Sequence, residues 1–347
     1  MSTQHPGLAV LSPANFGMVM ATGIVSLAAW FLNRHSIAHA LFYLNNLLYA
    51  VLCILTVARA VRYPKEFFGD MVSHLRGPGF FTFVAGTSVL GTQYVTMFSN
   101  YGAALVFWGV GVVSWVVLTY TIFAAFIVKE DKPTLERGIS GAWLLAVVAT
   151  QSIAVLSTLL ASRSGQVYRL ELNFIALSMW LWGGMLYIWM MSLIFYRYTF
   201  FRLAPGDLAP PYWINMGAMA ISTLAGSLLI ENAPHAPYLN SLLPFLKGFT
   251  IFYWATATWW IPMLLILGVW RHVYKRFPVS YDPLYWGAVF PLGMYTASTL
   301  QMSAAMNLVF MELIPKLFFP VAMAAWLITF TGLLHQILRL VRWAYRQ

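Results

Sequence analysis

The sequence predicts an all-α integral membrane protein: ten transmembrane helices laid out as five helical hairpins around a central pore. Three observations predict it. First, 61% of the 347 residues are hydrophobic and only 9% are charged, against roughly 25% charged in a soluble domain. Second, hydropathy marks ten segments near the length of about 20 residues that a bilayer core demands. They fall near 13–33, 40–61, 79–98, 101–128, 139–161, 172–196, 212–231, 244–270, 284–306 and 315–338. Third, odd and even segments differ in composition. Gly, Ala, Ser and Thr take seven or eight of fifteen positions in windows starting at 16, 81, 144, 217 and 290, but only two to six in matching windows of the even segments.

The ten segments fill most of the chain, so residues 1–347 read as a single transmembrane domain. The first segment is not a cleavable signal, because no Lys or Arg precedes Arg34. The second contains Cys53, the one cysteine, which excludes an internal disulfide and a cysteine-based metal site. Fifteen of the twenty Lys and Arg residues lie on the side that holds both ends of the chain. Basic loops stay inside, so both termini are expected in the cytoplasm. The net charge of +10 is then mainly a topology signal. A nucleic-acid partner is excluded, since no folded basic domain exists to meet one. An anion-attracting cytoplasmic vestibule stays open as a reading.

Thr22, Thr87, Thr150, Thr223 and Thr296 hold the same place in the five odd segments, 65, 63, 73 and 73 residues apart. That interval is one helical hairpin, repeated five times. Each hairpin returns to the same side, so the odd helices run parallel about an axis along the membrane normal. Five such helices enclose a channel, with the bulkier even helices facing lipid. The competing reading is that small residues only allow close helix packing. Under the channel reading the lining is Thr22, Ser26, Thr87, Ser88, Thr150, Gln151, Ser222, Thr223, Thr296, Ser298 and Thr299. The ninth segment carries Phe290-Pro291. Proline lacks an N–H and clashes with the carbonyl of Gly287, which places a kink there. The same register puts Phe16, Phe81, Leu144, Gly217 and Phe290 at one level. Phe16 and Phe81 either help to close a narrow pore there or pack between helices.

The chemistry inventory is sparse. No ionisable residue occurs in the odd helices before Glu231, so nothing titrates near mid-membrane to couple protons to transport. Glu231 and Lys247 flank one outer loop, where a rim ion pair is expected. His39 and His335 lack intramembrane partners for haem. Lys247 sits too near a loop for a buried Schiff base. "GVGVVS" at 109–114 lacks the third glycine of a dinucleotide loop. Neither a cofactor nor a metal is expected, and the missing polar cluster argues against an enzyme. Hydroxyls without a carboxylate ring favour anions or neutral solutes that bind weakly.

Three stretches carry a family resemblance: "SPANFGMVMATGIVS" at 12–26, "GPGFFTFVAGTSVLGTQ" at 77–93 and "YWGAVFPLGMYTAS" at 285–298. They resemble the tellurite-resistance/dicarboxylate transporter family, over essentially the whole chain. That family includes bacterial tellurite-resistance proteins, fungal malate permeases and sulfite pumps, and plant guard-cell slow anion channels. The sharpest piece is Trp286, Phe290 and Pro291. The resemblance implies five hairpins in quasi-fivefold order, a homotrimer, and a pore occluded by Phe290. Plant members resemble Tyr-Thr-Phe-Pro at this place, whereas here it is Ala288-Val289-Phe290-Pro291. The lost hydroxyl bears on anion preference rather than on the gate. Short tails match the bacterial members, hence a bacterial inner membrane. The function implied is a phenylalanine-gated channel or uniporter that moves small inorganic or organic anions passively: sulfite, dicarboxylate, nitrate, chloride or a tellurium oxyanion. A proton-coupled C4-dicarboxylate (malate) transporter is the alternative.

Overall fold

A computed structural model describes residues 7–278 and 281–344. The described residues form helices and turns, with no strand among them. In chain order the helices are α1 (Gly17–Phe31), α2 (His35–Arg62), α3 (Pro64–Met71), α4 (Phe81–Phe98), α5 (Tyr101–Val128), α6 (Leu135–Gly138) and α7 (Leu145–Ala161). They continue with α8 (Arg169–Phe200), α9 (Ile214–Asn232), α10 (Pro237–Ser241), α11 (Leu243–Val269), α12 (Trp286–Met306) and α13 (Leu313–Ala344).

Long and short helices alternate. The short ones, α1, α4, α7, α9 and α12, have 15, 18, 17, 19 and 21 residues. The long ones, α2, α5, α8, α11 and α13, have 28, 28, 32, 27 and 32. Each short helix is entered through a 3₁₀ turn: Pro13–Phe16, Gly77–Phe80, Gly141–Leu144, Pro210–Trp213 and Pro283–Tyr285. Four of these turns carry proline in their first two positions, where a missing N–H costs no hydrogen bond. Four of the five hairpin turns contain a left-handed residue, Asn33, Ser99, Gly165 and Asn307. Gly and Asn tolerate that conformation best, and it stops a helix abruptly.

The short helices pack in a closed circuit. α1 touches α4 and α12, α4 touches α7, α7 touches α9, and α9 touches α12. The 3₁₀ turns that precede them touch one another in the same cyclic order. Small residues allow this approach. At Gly141 a Cβ would lie 2.5 Å from the Pro211 carbonyl oxygen, so this turn admits no side chain. Each long helix packs outside its own short partner and reaches the next: α2 to α4, α5 to α7, α8 to α9, α11 to α12 and α13 to α1.

Burial follows this inner–outer division. The apolar windows of the segments Pro13–Phe31, Gly141–Ala161 and Pro210–His235 are 78–94% buried, while those of α2, α5, α11 and α13 are 17–28% buried and that of α8 is 50% buried. Only the inner helices therefore lie in a protein interior; the outer ones present Leu, Val, Ile and aromatic side chains outward. Among the described residues, eight helices are long and apolar enough to cross a membrane, rather than the ten expected. The two that fall short are α4 and α12. Thr, Ser, Gly and Gln in both, and Pro291 in α12, lower their hydropathy. Observed ends also run past the expected ones. α2 begins at His35, α8 spans Arg169–Phe200 and α13 extends to Ala344, because polar residues continue a helix beyond its apolar stretch.

Candidate functional site

The inner circuit encloses a row of cavities. One, of about 340 Å³, lies at the N-terminal ends of the five inner helices, lined by Gly17, Thr82, Leu145, Ile214 and Gly287 among others. One of about 240 Å³ lies at their C-terminal ends and includes Phe31, Thr96, Ser162, Glu231 and Gln301. Between them a space of only about 10 Å³ is bounded by Ile24, Val89, Ser152, Ile221 and Met294. All five inner helices contribute to each.

These linings define one face on every inner helix. On α12 the face carries Gly287, Met294 and Gln301, seven residues apart, two turns each. Phe290 falls midway between the first two, so it shares that face. It is fully buried, at a level where no cavity opens. The matching midway positions on α4, α7 and α9 are Ala85, Val148 and Gly217, all buried. One large ring thus shares a level with small residues on three inner helices, with Met20 of α1 at the fifth position. Pro291 is seated against Gly217, where a Cβ would lie 2.7 Å from its Cγ. That contact fixes the α12 backbone immediately beside Phe290.

The expected neighbours of Phe290 lie elsewhere. Phe16 packs edge-on against Phe83 and Tyr49, with ring centroids at 5.0 and 6.0 Å. Phe81 faces Phe123 of α5, with centroids at 6.0 Å. Both turn outward because each sits one residue before a cavity-lining residue, Gly17 or Thr82, and one residue is about 100° around a helix. Leu144, just before Leu145, is turned away in the same manner.

None of the eleven residues expected to line a pore borders the three cavities. Several meet the outer helices instead. Trp326 of α13 donates to Thr22 (3.0 Å), Trp115 of α5 to Thr150 (2.8 Å), and Trp254 of α11 to Thr299 (3.0 Å). Tyr49 of α2 shares a hydrogen bond with Thr87 (3.0 Å), and Trp180 of α8 donates to the Ser222 carbonyl (2.8 Å). Gln151 donates to the Trp180 carbonyl and Ser26 to that of Ala38. Thr150, Ser222, Thr223 and Thr296 donate to carbonyls four residues back, and Ser298 to the carbonyl of Tyr295. Ser88 has no hydrogen-bond partner and lies beside Gly111 of α5. Three of the five shared threonines, Thr22, Thr87 and Thr150, are therefore joints between inner and outer helices, while Thr223 and Thr296 bond only within their own helices. A buried hydroxyl must find an acceptor, and in a helix the preceding turn supplies one. The sequence did hold the signal for these joints. Tyr49, Trp115, Trp180, Trp254 and Trp326 recur at the repeat interval along the even segments.

Charge is distributed unevenly along the axis. The five helix N-termini, whose free N–H groups carry partial positive charge, surround the first cavity. Arg76 and Asp282 border it. Asp282 caps its turn by accepting from the Leu284 N–H at 2.8 Å, and Arg76 Nε lies 2.9 Å from Asp70, which Arg59 also engages. Next to Arg76, burial, with Lys129 and Lys132 nearby, holds the His74 imidazole below its ordinary pKa. The other cavity receives the helix C-termini and Glu231. The expected Glu231–Lys247 rim pair is absent from the ion pairs among the described residues, because Glu231 lines the axial cavity while Lys247 is on the outer helix α11.

An uncharacterized membrane protein of Mycobacterium tuberculosis is 39% identical over 154 residues, 44% of this chain and 77% of its own. An uncharacterized transporter of Methanocaldococcus jannaschii is 26% identical over 293 residues, 82% of each chain. A sulfite efflux pump of Arthroderma otae is 25% identical over 356 aligned positions, 95% of this chain and 90% of the pump. A family profile described as voltage-dependent anion channel matches residues 10–334. Its span takes in all five inner helices, the Phe290-Pro291 pair and both axial mouths, and the chain belongs to the voltage-dependent anion channel family.

Proposed function

We propose that this protein is an anion channel or uniporter whose path follows the axis of the inner helices and is closed by Phe290. In this reading ten helices cross the membrane as five hairpins in quasi-fivefold order, and residues 1–347 act as one transmembrane domain. α4 and α12 tolerate their lower hydropathy because their neighbours are protein. The basic loops place the Arg76 mouth and both chain ends in the cytoplasm of a bacterial cell. A homotrimer, in which each protomer holds its own path, completes the proposal.

The observation that carries it is the cavity ringed by five helix N-termini, with Arg76 at its edge, leading to one buried aromatic ring. Helix N-termini favour anions, and the path beyond holds no fixed cation that would trap one. A small anion such as sulfite fits this mouth, in keeping with the name of the fungal relative. Movement is passive: the residues at the closed level, Phe290, Met20, Ala85, Val148 and Gly217, do not titrate. A negative charge leaving the cell gains about 2.3 kcal/mol per 100 mV, so export is favoured.

In proteoliposomes clamped with potassium and valinomycin, the flux of chloride, nitrate, sulfite and malate is expected to follow voltage and anion gradient. The reversal potential should ignore a pH gradient, after correction for substrate protonation. A reversal potential that tracks pH instead would establish the proton-coupled dicarboxylate transporter.

A further inference from the structure

The outer axial cavity contains an unpaired carboxylate at its mouth. Glu231 sits in the last turn of α9 and lines the same cavity as Phe31, Thr96, Ser162 and Gln301, so each inner helix end faces it. It is exposed to that space, and no ion pair among the described residues includes it. The charged and titratable groups near this end lie on the elements around α9. Arg163 follows α7 and rests 5.5 Å over the ring of Tyr101, which itself borders the cavity. α8 brings Arg169 and Glu171, the turn after α9 brings His235, α10 brings Tyr238 and α11 brings Lys247. α12 contributes neutral Gln301. Glu231 is thus the one carboxylate bordering the cavity, and the partial negative charge of five helix C-termini adds to it. The opposite mouth has five N-termini and Arg76.

We propose that Glu231 makes the outer mouth a one-way electrostatic exit, repelling anions that arrive from outside while outward passage continues; this rests on the anion-channel reading above. An anion drawn into the inner mouth meets no attractive site at the outer one and leaves quickly. An external anion must approach a like charge first. External acid neutralises Glu231 and removes most of the bias.

The test uses the Phe290→Ala protein, which supplies conduction, in excised spheroplast patches with equal chloride on both sides. Outward anion movement should exceed inward by about threefold at equal and opposite voltages, the factor for a unit charge about 6 Å away in a water-filled mouth. Adding Glu231→Gln should bring the ratio most of the way to one, leaving only the weaker bias of the helix termini and Arg76, and Glu231→Lys should invert it. Acidifying the outer face should reproduce Glu231→Gln; acidifying the inner face should change nothing. Glu171→Gln and His235→Gln should keep both the ratio and its response to external acid. An unchanged ratio in both Glu231 variants, with current present, overturns the exit and leaves the channel standing. Loss of the acid response in His235→Gln alone reassigns it to the histidine and also overturns the proposal. Absence of current in every variant, the Phe290→Ala parent included, removes the channel and the exit with it.

Discussion

Phe290→Ala is expected to raise anion flux at least tenfold, a barrier lowered by about 1.4 kcal/mol or more, in protein that still folds. The reason is the company Phe290 keeps. Ala85, Val148 and Gly217 cannot reach across the space that its ring vacates, and that space lies between two existing cavities. In a packed core, Phe→Ala leaves a void and costs about 3–5 kcal/mol. Here water enters from the inner cavity and fills it, so the loss in thermal stability should be smaller. Phe252→Ala on α11 is the control, because Phe252 is an exposed outer residue and should give no gain in current. Well-folded Phe290→Ala that passes no more of any tested anion would show that the ring does not close the path.

Trp326→Ala is expected to be the most destabilising of the substitutions at the inner–outer joints, by about 3–5 kcal/mol. Trp326 is 6% exposed. Its ring stacks on Phe330 at 4.8 Å and meets Trp286 edge-on at 6.4 Å, and its Nε1 donates to Thr22. That bond ties the last helix to the first and closes the circuit of hairpins. Trp326→Phe keeps most of the ring and loses the donor, so its cost should be about 1 kcal/mol. Thermal unfolding in detergent distinguishes the two. Equal small effects from both would mean that this joint contributes little to holding the circuit closed.

The repeat and the level of each residue were legible in the sequence; the azimuth was not. Spacing between the five threonines matched the alternation of short inner and long outer helices, and Phe290-Pro291 marked a proline inside α12. The windows aligned positions along the axis but carried no information about which way each side chain points. A solvent-facing helix marks its faces with an apolar stripe, whereas α7, for example, is buried nearly all round. Its Thr150 and Ser152 look alike in sequence, yet Thr150 meets Trp115 and Ser152 borders the narrowest cavity. Reading hydroxyls as wet was the error. Thr150 donates to the Ala146 carbonyl and is content in a dry interior. Of the two readings of Phe16 and Phe81, packing between helices is the one found, decided by a single residue of helical phase. Glu231 was seen in the sequence but paired with the wrong surroundings, since no pattern shows that the end of α9 opens onto the axis.

The central claim is that anions pass along the face that carries Phe290, and thiol accessibility on α7 tests it most directly. With Cys53 replaced by serine, Ser152→Cys and Thr150→Cys are each placed in wild-type and Phe290→Ala backgrounds. A small anionic thiol reagent is then applied from the cytoplasmic side. The expected result is that Ser152→Cys reacts rapidly once Phe290 is alanine and slowly when it is not, while Thr150→Cys, two residues away and facing Trp115, is protected in both. Labelling of Thr150→Cys in preference to Ser152→Cys, or equal labelling of the two, would contradict the axial path.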